Sequence, residues 1–382
     1  MAEQDPQGKP RRGVAVLGAG MIAAVHRRAA LLAGAEVTGV LASTPARSRE
    51  VASRWQVRAG YRDLAEVLDD DRVDVVHVCT PNATHAEYAE AVLRAGKHVI
   101  CEKPLGVSAG QAQRMAGLAE RSGLVATVPF VYRYHPIVRE LRARVRAGEL
   151  GDRLLLVHGS YLQDWMLSPD ASGWRVFADS GGPSRAFADI GSHWCDLVEW
   201  ITGDPFAELT AATSVAVPDR PGAGGASFTG SGSGARVPVR TEDSATLLLR
   251  TESGVLASTT ISQVAAGRKN RLWLELDGSL GSAVFDQETP ESIWLGGADE
   301  SRIVVRDNGT GSAEQRRLSQ LPAGHAQGYA QCFEAFVADT YAAIDGDAPE
   351  GLPGFADGLR SARLVDAVLR SAREGSWTKV ER

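Results

Sequence analysis

The sequence predicts an α/β protein: an N-terminal doubly wound parallel Rossmann sheet, followed by an α+β domain with a largely antiparallel sheet. Three observations carry this expectation. The first third alternates short, continuous apolar runs with helical stretches, the grammar of repeated βαβ units buried on both faces. A glycine-rich turn, Gly18-Ala19-Gly20-Met21-Ile22-Ala23, follows the first apolar run and opens the first helical stretch. After about Arg133 the strands instead alternate apolar and polar residues between Gly-bearing turns, as an antiparallel sheet with one covered face requires. A chain of 382 residues also exceeds the usual single-core size, so two domains are expected, at 11–133 and 134–382.

Taken in order, Gly13–Leu17 reads as the first strand, with a helix after the glycine turn to about Leu32. Glu36–Ala42 is the second strand and Ser48–Trp55 a helix. Asp74–Cys79 is the third strand, Thr84–Ala95 a helix, and His98–Cys101 the fourth strand. A helix over about Ser108–Arg121 and a strand Val125–Phe130 close the series. The second domain begins with a basic amphipathic helix, His135–Ala147, stopped by Gly148, and the extended segment Arg153–Tyr161. Strands follow at Ala245–Arg250, Val255–Ser262, Arg271–Asp277 and Ser282–Asp286. The stretch Pro218–Pro238, rich in Gly, Ser and Pro, reads as a mobile loop. Two helical patterns, Tyr329–Ile344 and Phe355–Arg373, end the chain and can pack on either domain.

Composition narrows the function class. Hydrophobic residues at 44% and charged residues at 23% allow a large core and argue against global disorder. The net charge of −6 speaks against a nucleic-acid-binding surface. Arg11 and Arg12 precede no apolar leader segment, and the glycines at 18 and 20 break the next apolar run far short of a membrane span, so a cytoplasmic protein is expected. Cys79, Cys101, Cys195 and Cys332 form no CxxC pair and read as unpaired thiols, Cys79 and Cys101, in or beside apolar runs, as ordinary buried ones. No HExxH or clustered Cys/His suggests a metal, so none is expected.

The turn at 18–23 is a G-x-G-x-x-A dinucleotide fingerprint in the strand–turn–helix context that gives it meaning. Gly18 permits the tight turn, Gly20 lets a pyrophosphate approach the backbone beside Met21 and Ile22, and Ala23 permits close helix–strand packing. The helix N-terminus then offers N–H groups and a positive dipole end to the phosphates. An NAD site commonly carries an acid about 20 residues downstream, for the adenosine ribose. Here that position holds Ser43 and Thr44, with Arg47 and Arg49 nearby. NAD and NADP both stay open.

Further on, Ala95-Gly96-Lys97-His98-Val99-Ile100-Cys101-Glu102-Lys103-Pro104, together with the fingerprint and with Thr80-Pro81-Asn82 and His85, resembles the glucose–fructose oxidoreductase/inositol dehydrogenase (Gfo/Idh/MocA) family. Asp189-Ile190-Gly191-Ser192-His193 is similar to that family's D-x-x-x-H element. The motifs come in the family's order from about Gly13 onward. The resemblance implies that Lys103 is the active-site lysine, that Glu102 lies beside the nicotinamide ribose, and that Thr80, Pro81, Asn82 and His85 border the cofactor. It implies Asp189 and His193 as the rest of the catalytic group, and a homodimer or tetramer. The segments 161–165, 173–175 and 192–196 look most like the family's cyclic polyol and anhydrosugar dehydrogenases. The departure is at Ser43, where many members carry an acid.

These residue types suit alcohol oxidation. A base must take the hydroxyl proton while the hydride leaves carbon for the nicotinamide. His193 suits the role of base, since imidazole as a side-chain type titrates near working pH. Asp189, four residues earlier, shares its face if the segment is helical and could orient the ring. Lys103 would stabilise the developing alkoxide. Tyr132, His158, Gln163 and Arg175 are candidate substrate contacts, with His325 and Tyr329 weaker ones. Trp165 and Trp174 fit core packing and sugar platforms equally, and His26 reads as structural or exposed. Bland alternatives are a capping role for Asp189, a core role for His193 and a solvated surface Lys103. The expected activity is a dehydrogenase of a small sugar or cyclic polyol. A ketosugar reductase, or a non-catalytic nucleotide or sugar sensor on the same fold, stays open.

Overall fold

The structure is a computed structural model that describes residues 11–223 and 232–382. Its packing divides the chain into two units, one of residues 11–129 with 333–359, the other of residues 130–332 with 360–382. Residues 333–359, from the two late helical patterns expected to pack on either domain, belong to the first unit.

The first unit carries six parallel strands: β1 (Gly13–Leu17), β2 (Glu36–Leu41), β3 (Ala59–Gly60), β4 (Val75–Val78), β5 (His98–Cys101) and β6 (Ala126–Thr127). Their order is β3-β2-β1-β4-β5-β6, so the strand order reverses between β1 and β4. Ligands of doubly wound sheets bind at that switch, beyond the strands' carboxyl ends. Every residue of β1 and β4 is buried, including the single polar one, His77, which explains their unbroken apolar runs. The connecting helices are α1 (Met21–Leu32), α2 (Pro45–Trp55), α3 (Leu64–Leu68), α4 (His85–Arg94) and α5 (Ala109–Ser122). Thr44, Asp63 and Ser108 cap α2, α3 and α5, each accepting a backbone N–H three residues on. The expected strand at 125–130 shortens to two residues, because Val128 N–H leaves the ladder for the carbonyl of Pro353.

The second unit begins with α6 (Pro136–Arg146), β7 (Leu154–Leu162), α7 (Ala178–Gly181) and α8 (Ser192–Thr202). Then come β8 (Phe206–Ser214), β9 (Asp219–Ala223), β10 (Ser233–Pro238), β11 (Ser244–Thr251), β12 (Leu256–Ser262), β13 (Arg271–Gly278), β14 (Gly281–Asp286), β15 (Ser292–Gly297) and β16 (Ser301–Val305). The chain ends with α9 (Ala313–Leu318), α10 (Tyr329–Ile344), α11 (Phe355–Glu374) and β17 (Thr378–Lys379). Nine strands form one sheet in the order β16-β15-β14-β13-β7-β12-β11-β8-β17. All its pairs are antiparallel except β7 with β12. Leu247, Leu249, Ile261, Leu272, Leu274 and Leu276 turn to one face and share a core with Trp194, Leu197, Val198 and Ile201 of α8. On the opposite face Leu248, Leu256 and Trp294 stay partly exposed.

The segment 218–238 is corrected in part. Its flanks, β9 and β10, pair as a two-stranded antiparallel ribbon, while residues 224–231 of the expected loop lie outside the described residues. The anchor is polar, so hydrophobic periodicity misses it. Arg220 is buried and donates to the carbonyls of Met166, Ser168 and Ala171 and to Asp243. Among the described residues, no helix is long and apolar enough to cross a membrane.

Candidate active site

In the first unit the nucleotide turn follows β1 directly. Gly18 has φ of +107°, a conformation that L side chains rarely adopt, and a Cβ there would lie 2.5 Å from the carbonyl oxygen of Cys79. The turn must therefore be glycine so that the ends of β1 and β4 can meet. Gly20 differs: a Cβ there would meet nothing within 4 Å, leaving open space over the N-terminus of α1. That helix has no side-chain cap and no acid in its first turn. An uncapped helix end beneath open space suits a pyrophosphate, so the residues present fit a dinucleotide. Met21, the first residue of α1, is exposed, and Ile22 follows it, half-buried.

At the end of β2, Ser43 is exposed and the Thr44 hydroxyl accepts the Arg47 N–H at 3.2 Å. The Arg47 guanidinium pairs with Glu50 one turn on. Beyond β4, Thr80, Pro81 and Asn82 lead into α4. His85, fully buried, spans two loops: Nδ1 lies 2.9 Å from the Pro104 carbonyl and Nε2 2.9 Å from that of Thr80. Both partners are acceptors, so the imidazolium form alone donates to both. Beyond β5, Glu102 is buried, with Oε1 3.0 Å from His26 Nε2 and Oε2 accepting the Lys103 N–H at 3.2 Å. Burial pushes its pKa up, but the hydrogen bond from His26 and the neighbouring Lys103 and His85 more than offset this, so the net shift is downward. The Lys103–Pro104 peptide is cis. His26, read as structural or exposed, is wholly buried.

In the second unit Asp189 lies in a π-helical turn, Phe187–Gly191, that runs directly into α8. Such turns widen a helix locally and recur at functional sites. A remote carboxylate, Glu242, fixes the entry: its Oε1 accepts from the Ser184 hydroxyl (2.7 Å) and the N–H groups of Arg185 (3.0 Å) and Phe187 (2.9 Å). Arg185 in turn is buried against Asp243, which also binds Arg220. Asp189 Oδ2 accepts from Gln263 Nε2 at 2.8 Å, and Oδ1 lies 3.7 Å from Arg175 Nε. His193 is nearly buried, and its ring meets Tyr132 edge-on at 4.9 Å and Phe130 at 5.7 Å.

Around that histidine the hydroxyl and amide groups close a ring. Asn270 Nδ2 donates to the Tyr132 oxygen (3.2 Å), the two tyrosine hydroxyls lie 2.6 Å apart, and the Tyr161 hydroxyl donates to Asn270 Oδ1 (2.7 Å). With Tyr161 donating to Asn270, the Tyr132 hydroxyl donates to Tyr161. Gln163 Nε2 joins at Asn270 Oδ1 (2.8 Å), and Trp165 Nε1 donates to Gln163 Oε1 (3.0 Å). Burial pushes both tyrosine pKa values up, so both keep their protons.

The structure thus gathers Tyr132, Gln163 and Trp165 in one network, Arg175 with Asp189 in a neighbouring pair, and Tyr329 at a centroid distance of 6.3 Å from Tyr132. Trp165 also packs on the small core of Met166, Val176 and Val239, and Trp174 lies under the Arg175 guanidinium. His158 is a correction. Strand alternation turns it to the sheet face opposite Val157 and Tyr161, beside Glu275, Asp277 and Trp273. The backbone carbonyl of His325 accepts from the Arg306 guanidinium at 2.7 Å. Asn270, Gln263, Tyr161 and Glu242 were not singled out from the sequence as site residues. Apart from Tyr161, which opens the segment 161–165, nothing in the sequence marks them, since each acts through a partner distant along the chain. As expected, no cysteine forms a disulfide; all four are buried, which was expected of Cys79 and Cys101.

A nucleotide-binding parallel sheet, joined to a second unit with a buried acid and histidine on one helix entry, defines a nicotinamide-dependent oxidoreductase. Comparison with known proteins makes this specific. Residues 12–130 match the Gfo/Idh/MocA oxidoreductase family, NAD-binding Rossmann fold, and residues 138–284 match the Gfo/Idh/MocA C-terminal domain. The chain is 33% identical over 348 residues to the levoglucosan dehydrogenase of Pseudarthrobacter phenanthrenivorans, covering 88% of each chain. It is 27% identical to the inositol 2-dehydrogenase of Rhizobium meliloti, covering 94% of this chain and 96% of that one. It superposes on a levoglucosan dehydrogenase solved with NADH and L-sorbose at a TM-score of 0.87 and 28% identity, covering 97% of this chain and 99% of the other. The chain belongs to the Gfo/Idh/MocA oxidoreductase family.

Proposed function

We propose that the protein oxidises a CH–OH group on a ring carbon of a sugar or cyclic polyol, of the inositol or anhydrosugar kind, using NAD, with the reverse reduction equally accessible. The carrying observation is the Asn270–Tyr132–Tyr161 ring beside His193, with Gln163 and Arg175 close by. It gathers neutral hydroxyl and amide groups where a polyhydroxylated ring needs both donors and acceptors. The names of the relatives point the same way. NAD is favoured over NADP because Arg47 already pairs with Glu50, leaving its charge partly neutralised for a 2′-phosphate.

When bound, the nicotinamide takes or gives the hydride. His193 accepts the hydroxyl proton of the substrate, and Asp189, held by Gln263 and Arg175, stabilises the charged imidazole. Lys103 places positive charge against the developing alkoxide. Burial of His193 and Asp189 keeps water from competing for the same proton. The aromatic faces of Trp165 and Tyr329 complete the walls against the apolar faces of the sugar.

The test is the near-ultraviolet absorbance of reduced nicotinamide with NAD or NADP and a panel of inositols, glucose, xylose and levoglucosan. Reduction of NAD with one polyol class is expected. Silence across the panel in both directions, with NADH bound, would favour the sensor reading instead.

A further inference from the structure

We propose that Glu102, His26, His77 and Tyr341 form a one-way relay of hydrogen bonds that holds Glu102 as a carboxylate and thereby positions Lys103. All four lie within the first unit and are buried. His26 comes from α1, His77 from the interior of β4, Glu102 from the end of β5 and Tyr341 from α10. Three contacts link them, each 3.0 Å: Glu102 Oε1 with His26 Nε2, His26 Nδ1 with His77 Nδ1, and His77 Nε2 with the Tyr341 hydroxyl.

The proton positions follow from one end. An ionised carboxylate only accepts, so His26 Nε2 carries the proton that binds it. A neutral His26 then has a bare Nδ1, which can only accept, so His77 Nδ1 must donate. That leaves His77 Nε2 bare, and the Tyr341 hydroxyl donates to it. Every donor therefore points toward Glu102. The alternative assigns His26 an extra proton and reverses the two outer bonds, making His77 an Nε2–H donor to tyrosine. The groups at the far end disfavour exchange with solvent. Burial pushes the His77 pKa far down and the Tyr341 pKa up.

The remaining groups facing the chain are few. His85 and Lys103 lie near Glu102, with the thiols of Cys79 and Cys101, which burial keeps protonated. The Arg12 guanidinium sits 5.1 Å from the Tyr341 ring centre and is paired with Asp345, while the Phe333 ring meets His26 edge-on. The relay reaches the chemistry through Glu102 Oε2, which accepts the backbone N–H of Lys103. His26, His77 and Tyr341 are therefore positioning residues. Their effect on turnover rests on the proposed role of Lys103; their protonation pattern does not.

The experiment is nitrogen NMR of the full-length protein labelled with ¹⁵N-histidine, with His26→Asn and His77→Gln used only to assign signals. The expected result is His26 protonated on Nε2 alone and His77 on Nδ1 alone. His77 protonated on Nε2, or His26 carrying a proton on Nδ1, would overturn the proposal whether or not a substrate is known. Tyr341→Phe, which removes one hydroxyl, is expected to unlock the His77 tautomer and to move the acid limb of the turnover profile upward, with NADH affinity kept within about twofold. A lower melting temperature with the His77 tautomer and the pH profile unchanged would show a merely structural tyrosine and refute the relay.

Discussion

Gly18 and Gly20 sit two residues apart in one fingerprint, yet the structure gives them separable roles. In Gly20→Ala the new methyl meets no protein atom within 4 Å, and the backbone at φ −81° and ψ −173° is one that alanine adopts. Alanine is a poorer helix cap than glycine by several tenths of a kcal/mol to about 1 kcal/mol, but it removes about 0.4–1 kcal/mol of unfolded-chain entropy. Folding stability should therefore change by less than about 1 kcal/mol. Binding should not escape. The methyl would stand where we propose that a pyrophosphate approaches the end of α1, and losing one charge-assisted backbone bond costs about 1.5–3 kcal/mol, or roughly 10- to 150-fold in affinity. Gly18→Ala should lose both properties, because φ of +107° strains any L residue by about 1–3 kcal/mol and the methyl overlaps the Cys79 carbonyl. Thermal unfolding without cofactor, paired with NADH titration by calorimetry, separates the two variants. A Gly20→Ala protein that binds NADH with unchanged affinity would refute this placement of the pyrophosphate.

Lys103→Ala should abolish turnover while NADH still binds, whereas His193→Ala should lower turnover strongly and recover in part at high pH; near-wild-type rates in either would remove that residue from the catalytic group. Asn270→Ala opens the hydrogen-bonded ring and leaves the Tyr161 hydroxyl and the Gln163 amide short of an acceptor, at about 1–3 kcal/mol. A raised KM for substrate with unchanged NADH affinity is expected, read by steady-state kinetics. Asp243→Ala strands two buried guanidinium groups, Arg185 and Arg220, and should cost about 3–5 kcal/mol in chemical denaturation. Loss of the α8 entry geometry should lower activity in the same variant.

Local chemistry made much of this protein legible. β1 and β5 fall at the expected residues because strands buried on both faces must be continuous apolar runs. The fingerprint, Glu102-Lys103-Pro104 and Asp189 with His193 were visible because each is a short contiguous motif. Strands of mixed composition were not. β8 carries helix formers in Ala-Glu-Leu, and β16 is an exposed edge strand, so neither shows a clear period. The ribbon of β9 and β10 escaped for a different reason, since a buried arginine rather than an apolar face holds it.

What the sequence by itself determined is the alternation of the first sheet, the glycine turn and the residue types able to do hydride chemistry. Only the tertiary structure decided their supports. Glu242 enters the π-helical turn from 55 residues away from Phe187, and Asn270 closes a ring with Tyr132 from 138 residues away. His26 and Tyr341 reach the Glu102 carboxylate and His77 from opposite ends of the chain. A polar side chain announces what it can donate or accept, but its partner is set by which strands and helices the hydrophobic core brings together.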